Sequence, residues 1–279
     1  MRLCAPVYNY RSADEWVERH IKAGYGAALW PLGRDAADAE IDAYAKAAED
    51  AGLVIAEVGA WCNLLESDKD KREANISYVT GQLFLAERVG ARCCVNISGS
   101  KSERWDGPHR DNLTEETYRE VVETARRIID AVNPRRTRFA FECMPFMYPH
   151  TAKSQAALLS DVVRDGFAVH ADLCNLVNTI DYYYNTAPLC REFIGSFGDR
   201  IRSIHVKDIK LDEAATMKVI EVPLGEGFFD HKSLLVECAK LDADLPMVLE
   251  HLGSEAEYAA AAARLREYAG ELGLEFVRL

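Results

Sequence analysis

Eight times along the chain a short apolar run gives way to a stretch with helical periodicity. The runs lie at 2–8 (RLCAPVY), 26–32 (GAALWPL), 54–61 (VIAEVGAW), 93–98 (CCVNIS), 138–144 (RFAFECM), 167–173 (FAVHADL), 201–208 (IRSIHVKD) and 246–252 (PMVLEHL). Amphipathic segments separate them, among them 12–24, 39–52, 71–90, 114–132 and 255–272. Strands alternating with helices pair in parallel through crossovers, and eight such units close on themselves. The expected fold is therefore α/β, a single (β/α)8 barrel occupying residues 1–279 as one domain. An open doubly wound sheet would normally carry a glycine-rich loop after an early strand, whereas the first run continues into NYRSADEW, without glycine.

The boundaries carry their own chemistry. Ser12 with Glu15, and Thr114 with Thr117 beside Glu115 and Glu116, place hydroxyl caps and acids at helix starts, while Gly24, Gly52 and Gly90 stand at helix ends. The longest irregular stretch, 99–113, is expected to be a loop over the C-terminal mouth of the barrel, the face where barrel active sites sit.

Charge and composition remove several function classes. A formal net charge of −12, with Lys and Arg dispersed, opposes a nucleic-acid partner. No run approaches the roughly 20 apolar residues of a membrane span, and the first ten residues lack a signal peptide's basic start and apolar core, so a cytoplasmic protein without a membrane partner is expected. Eight cysteines without a CxxC pair, four of them in apparent strands (Cys4, Cys93, Cys94, Cys143), read as small buried hydrophobes. Assembly into a homo-oligomer stays open.

The ends of the last four strands hold the chemistry. Along a barrel strand, side chains alternate between the interior and the surrounding helices. Phe139 and Phe141 alternate with Ala140 and Glu142, Val169 and Ala171 with His170 and Asp172, Ile204 and Val206 with Ser203, His205 and Lys207, and Met247 and Leu249 with Val248 and Glu250. The bulky apolar set suits the helix side. Glu142, Asp172, His205 and Glu250 then converge inside the mouth, where three carboxylates would repel one another unless a cation neutralised them. Three oxygen ligands and one imidazole suit one divalent metal ion, Mn²⁺ or Mg²⁺, with Co²⁺ or Zn²⁺ as alternatives. Singly, each residue has a plainer reading: Asp172 as a cap, His205 as a core histidine, either glutamate as an ion-pair partner.

With these residues in view, FAFECMPF, HADLCNLVNT, IHVKD, VPLGEG and VLEHL, in that order, resemble the xylose isomerase-like TIM-barrel superfamily, specifically its sugar phosphate isomerase/epimerase branch. The resemblance covers nearly the whole chain and is strongest over 139–252. It implies one divalent metal held by Glu142, Asp172, His205 and Glu250, with Glu142 and Glu250 also serving as acid and base. Many relatives carry a substrate-contacting histidine three residues after the metal-binding aspartate; here the position is Asn175, which can hydrogen-bond a hydroxyl but cannot exchange a proton near neutral pH. The superfamily also includes endonuclease IV-like enzymes, whose additional histidines on early strands are missing here.

The expected activity is metal-dependent isomerisation or epimerisation of a small keto sugar or related hydroxy-ketone, through a proton taken next to the carbonyl. The alternatives are a lyase or hydratase on a keto sugar or keto-cyclitol, a metal-binding barrel without catalysis, and a nuclease. Glu142 and Glu250 are expected to approach the substrate from opposite sides of the mouth. Lys207 reads either as a contact for an oxyanion, hydroxyl or phosphate, or as an ion-pair partner of Glu226 or Asp208. Asn175 and Glu226 are candidate hydroxyl contacts, and Trp30, Trp61 and Phe146 candidate apolar walls. His170 reads as a partner supporting Asp172, and His251 as structural.

Overall fold

A computed structural model describes residues 1–279. Eight parallel strands close a barrel: β1 (Arg2–Cys4), β2 (Ala27–Leu29), β3 (Val54–Gly59), β4 (Cys93–Asn96), β5 (Phe139–Glu142), β6 (Phe167–Asp172), β7 (Ile201–Val206) and, last in sequence, β10 (Pro246–Leu249). They follow one another in sequence order around the ring, with β10 joining β7 to β1. The expected barrel is what forms.

The predicted helix boundaries hold where their caps can be checked. Helix α1 (Ala13–Ala23) begins under Ser12, whose side chain accepts from the Glu15 N–H while the Glu15 carboxylate accepts from the Arg11 N–H. Helices α2 (Asp38–Ala51) and α3 (Lys69–Val89) end on Gly52 and Gly90, as expected. Helix α4 (Glu115–Val132) begins under Thr114, which accepts from the Thr117 N–H. Val121, Val122, Ala125, Ile128 and Ile129 recur at three- and four-residue spacing along α4 and are all buried. No helix is long and apolar enough to cross a membrane. Seven of the eight cysteines are buried, all eight as free thiols.

The alternation read from the last four strands sorts inside from outside. Phe139, Phe141 and Phe167 pack outward with the helices, as do Val169, Ile204, Met247 and Leu249. A small cluster of Cys4, Ala27, Ala56 and Val248 fills the interior. Short side chains there leave height for the longer polar groups above them.

One element was not legible as such. After β7 the chain forms an antiparallel hairpin, β8 (Asp208–Leu211) with β9 (Val219–Val222), beside the mouth. The turn that follows is gathered by Asp208, whose carboxylate accepts the backbone N–H groups of Ile209, Gly225, Gly227 and Phe229 at 2.8–3.2 Å. Gly225 adopts a left-handed φ of 95°, which its lack of a side chain permits.

Candidate active site

Four neighbouring strands deliver the polar groups. Glu142 ends β5, Asp172 ends β6, His205 lies in β7, and Glu250 follows β10 directly. One ligand-capable atom from each falls within 4.8 Å of the others. His205 Nδ1 faces Glu250 at 2.8 Å, Glu142 at 3.2 Å and Asp172 at 4.0 Å. The two glutamates thus mark the ends of an arc of four adjacent strands. Three of the ring's eight steps separate β5 from β10, one short of diametrically opposite, so the two glutamates enter the mouth from well-separated sides.

Lys207 stands among the same carboxylates. Its Nζ lies 2.7 Å from Glu250 Oε1, 2.8 Å from Asp172 Oδ2 and 3.3 Å from Glu221 on β9. Neither Glu226 nor Asp208 is its partner, contrary to the ion pair considered from sequence. Asp208 is spent on the turn, and that turn points the Gly225 and Gly227 amides inward while Glu226 at its tip is exposed. Glu226 does not line the cleft, so its proposed hydroxyl contact is withdrawn.

Burial works against every charge in this group, and the partners decide the outcome. It opposes the protonated form of His205, yet Glu250, Glu57 and Glu142 hold the imidazole well above its usual range. It opposes the Lys207 ammonium too, but Asp172 and Glu250 more than compensate. Glu142 and Glu250 are raised by burial and lowered further by His205, ending below the usual carboxylate range. Asp172, fully buried, is pushed well above that range by desolvation, with Glu250 and Glu142 adding to it against Lys207. The resident cations therefore do not neutralise the set completely. Asp172 Oδ2 and Glu250 Oε1 face the lysine without a well-directed hydrogen bond. Hard oxygen donors, an imidazole nitrogen and surplus negative charge make a group that can hold a divalent metal ion.

Beneath this layer lies a network that sequence reasoning missed. Glu57 of β3, 2% exposed, accepts hydrogen bonds from Ser203 Oγ and from His170 Nε2 at 3.0 Å through one oxygen, and meets His205 Nε2 at 3.3 Å through the other. Burial favours a neutral Glu57, but His205 and His170 keep it ionised. With Nε2–H turned toward Glu57, His205 turns its Nδ1 edge to the three carboxylates, and that nitrogen would face a metal held among them, the arrangement in which a carboxylate orients a metal-binding histidine. His170 supports Glu57, not Asp172. The residues Glu57, His170 and His205 form a second group close enough to hold a metal, but their carboxylate is already satisfied by these donors.

Asn175 lines the cleft and is tied into the turn that follows β6. Its backbone N–H donates to Asp172 Oδ1 at 3.0 Å, and its side-chain amide donates to the Cys143 carbonyl at 3.0 Å and to Glu142 at 3.3 Å. Asp172 consequently also closes a tight turn, as its cap-like position suggested.

A cleft of about 860 Å³ opens above these groups. Glu142, His205, Lys207, Glu250 and Asn175 line it together with Trp30, Trp61 and Phe146, as expected, while Asp172 lies behind the lining. Trp105 and Asp106 come from the long 99–113 loop, which does cover the mouth. His251 also lines the cleft, with Nδ1 2.8 Å from Glu221. Glu221, missed because the hairpin was missed, bridges His251 and Lys207.

A family model described as xylose isomerase-like TIM barrel matches residues 18–268. No curated protein matches the chain in sequence. Among solved structures, endonuclease IV from Thermus thermophilus superposes with a TM-score of 0.73 at 16% identity, over 97% of this chain and 100% of that one. A D-psicose 3-epimerase from Clostridium cellulolyticum, solved with D-tagatose, gives 0.69 at 14% identity over 99% and 100%. A xylose isomerase-like TIM barrel protein from Mycobacterium smegmatis, in complex with magnesium, gives 0.67 at 17% over 94% and 90%.

Proposed function

The chain belongs to the xylose isomerase-like TIM barrel family, and from that premise we propose that it is a divalent-metal-dependent enzyme that isomerises or epimerises a small keto sugar or related hydroxy-ketone. The observation that carries the reading is the pair Glu142 and Glu250: two carboxylates tied to one imidazole edge, both open to the cleft, with Asp172 buried behind them. Glu142, Asp172, His205 and Glu250 would hold the metal, Mn²⁺ or Mg²⁺ by donor type with Co²⁺ or Zn²⁺ as alternatives, and it would supply positive charge where negative charge develops on the substrate oxygens.

The chain's own groups do the rest. Glu142 and Glu250 are ionised at neutral pH, so either can accept a proton from the carbon next to a carbonyl. The proton that returns comes from the partner carboxyl after exchange with solvent. Return to the same carbon from the other face gives epimerisation; return to the neighbouring carbon gives isomerisation. Lys207 keeps Glu250 charged and holds both Glu250 and Asp172 in place, and Asn175 fixes the Glu142 carboxylate while remaining at the cleft wall. Trp30 and Phe146 form apolar walls beside the reacting carbon.

Asn175 favours one second reading. It occupies a place where a proton-exchanging side chain would assist reprotonation, so after the same proton abstraction a β-hydroxyl can instead leave as water, taking its proton from the protonated carboxyl while the carbon–carbon double bond forms, a dehydration. A nuclease reading is opposed by the acidity of the cleft, whose lysine and histidines are all engaged by carboxylates.

Deuterium oxide separates these. With ketoses, 3-keto sugars, hydroxypyruvate and inososes as a panel and Mn²⁺ present, deuterium is expected at the carbon next to the carbonyl. A dehydratase would release water and form a new double bond. Glu250→Gln and Glu142→Gln should each slow exchange by about 10²–10⁴-fold. Absence of both exchange and dehydration across the panel contradicts the proposal.

A further inference from the structure

The cleft is larger, more aromatic at its rim and poorer in free positive charge than a site for a lone sugar phosphate requires. Its volume of about 860 Å³ lies in the upper part of the range of roughly 300–1,000 Å³ for clefts that enclose drug-sized ligands, and a single hexose is much smaller than those. No arginine lines it. Its one lysine, Lys207, is taken by Glu250 at 2.7 Å and Asp172 at 2.8 Å, and His251 by Glu221 at 2.8 Å. Asp106, Glu142, Glu221 and Glu250 add negative charge to the same wall. A phosphate there would meet carboxylates without a free guanidinium or ammonium to receive it.

The rim offers a different chemistry. Trp61 and Trp105 line the cleft from separate loops yet stay 43% and 39% exposed, unlike Trp30, which is 9% exposed among Trp16 and Tyr44. The pose of Trp61 is built in. A Cβ at Gly59 would sit 2.6 Å from Trp61 Nε1, so the indole rests where only glycine leaves room, and the Gly59 carbonyl is itself held by Gln82 at 2.7 Å. Large aromatic surfaces left open at a cleft mouth bind a flat or apolar ring face.

We propose that the substrate is an uncharged two-ring compound: a keto sugar whose reacting ring sits over Glu142 and Glu250, and whose second ring, an aglycone or another sugar, stacks at the rim on Trp61 and Trp105. The proposal rests on the reading of the deeper site as a carbohydrate site but not on which reaction occurs there.

Tryptophan fluorescence of the Mn²⁺-loaded protein, titrated with phenyl β-D-glucoside, glucose and glucose 6-phosphate, tests it. Phenyl glucoside should bind about tenfold more tightly than glucose, and glucose 6-phosphate no more tightly than glucose. Trp61→Ala, Trp105→Ala and Gly59→Ala should each erase most of that advantage, the last while keeping every indole; circular dichroism confirms that the variants are folded. Tighter binding of glucose 6-phosphate than of phenyl glucoside, or an advantage unchanged in all three variants, would overturn the proposal. Failure of the proton-transfer reading shows itself elsewhere: the phenyl advantage would persist while the 3-keto derivatives exchanged no deuterium and lost no water.

Discussion

At the scale of single residues, Glu57 explains why His205 can serve as a ligand at all. A buried imidazole presents two edges, and Glu57 holds the Nε2 edge, which turns Nδ1 to the carboxylates above and to any metal they would hold. Glu57→Gln should therefore lower Mn²⁺ affinity by about 10–100-fold in calorimetric titration, with the barrel intact by circular dichroism. Unchanged affinity would mean that the carboxylates alone orient the ring. Glu142, Asp172, His205 and Glu250 were legible because each ends an alternating apolar run on the inward parity. Glu57 lies within VIAEVGAW, where Gly59 and the small residues Ala56 and Ala60 blur the alternation, so an acid there carries no signal until the ring of strands closes and sets it under His205. Lys207 was recognised by parity but its partners were not. Its choice between Glu226 and Glu250 depends on a turn whose path sequence alone does not specify.

At the scale of elements, the eight strands and their caps were readable because parallel strands and amphipathic helices each leave a periodic trace. The β8–β9 hairpin was not. Its strands are four residues each, and only Asp208 and Ile209 are buried within it, so no strong alternation announces it. The hairpin is paired by its own antiparallel ladder, and the turn after it is held by one carboxylate, Asp208, with four backbone donors. Asp208→Ala should speed amide hydrogen exchange at Ile209, Gly225, Gly227 and Phe229, while helices α1 and α4 keep their protection. Because Glu221 rides on this hairpin, the same variant should loosen its bridge to Lys207 and His251. Exchange confined to its original rate would show that the surrounding packing, not Asp208, shapes the turn.

At the scale of the whole molecule, the barrel separates stability from chemistry: an apolar layer packs between the strands and the helices, and the buried metal-ligating groups gather at one mouth. His20 lies in the shell, on α1, 1% exposed beside Trp16, with Nδ1 bonded to the Trp16 carbonyl at 2.8 Å. Burial lowers its pKa from 6.5 to about 4. Above pH 6.5 neither folded nor unfolded chain holds the extra proton, but between 6.5 and about 4 the unfolded chain binds one that the native protein refuses, so stability falls with falling pH. The loss should approach about 2–3 kcal/mol and be absent from His20→Phe, so that it appears as a pH-dependent difference between the two proteins in urea unfolding at a series of pH values. An identical pH dependence in the two proteins would contradict it. The claim on which the functional account depends is the metal centre at the mouth, and titration calorimetry of chelator-treated protein with Mn²⁺ tests it most directly. One equivalent should bind to the wild type, with binding lost or weakened by orders of magnitude in His205→Ala. Equal affinity and stoichiometry in the two proteins would place the metal elsewhere, or nowhere in this barrel.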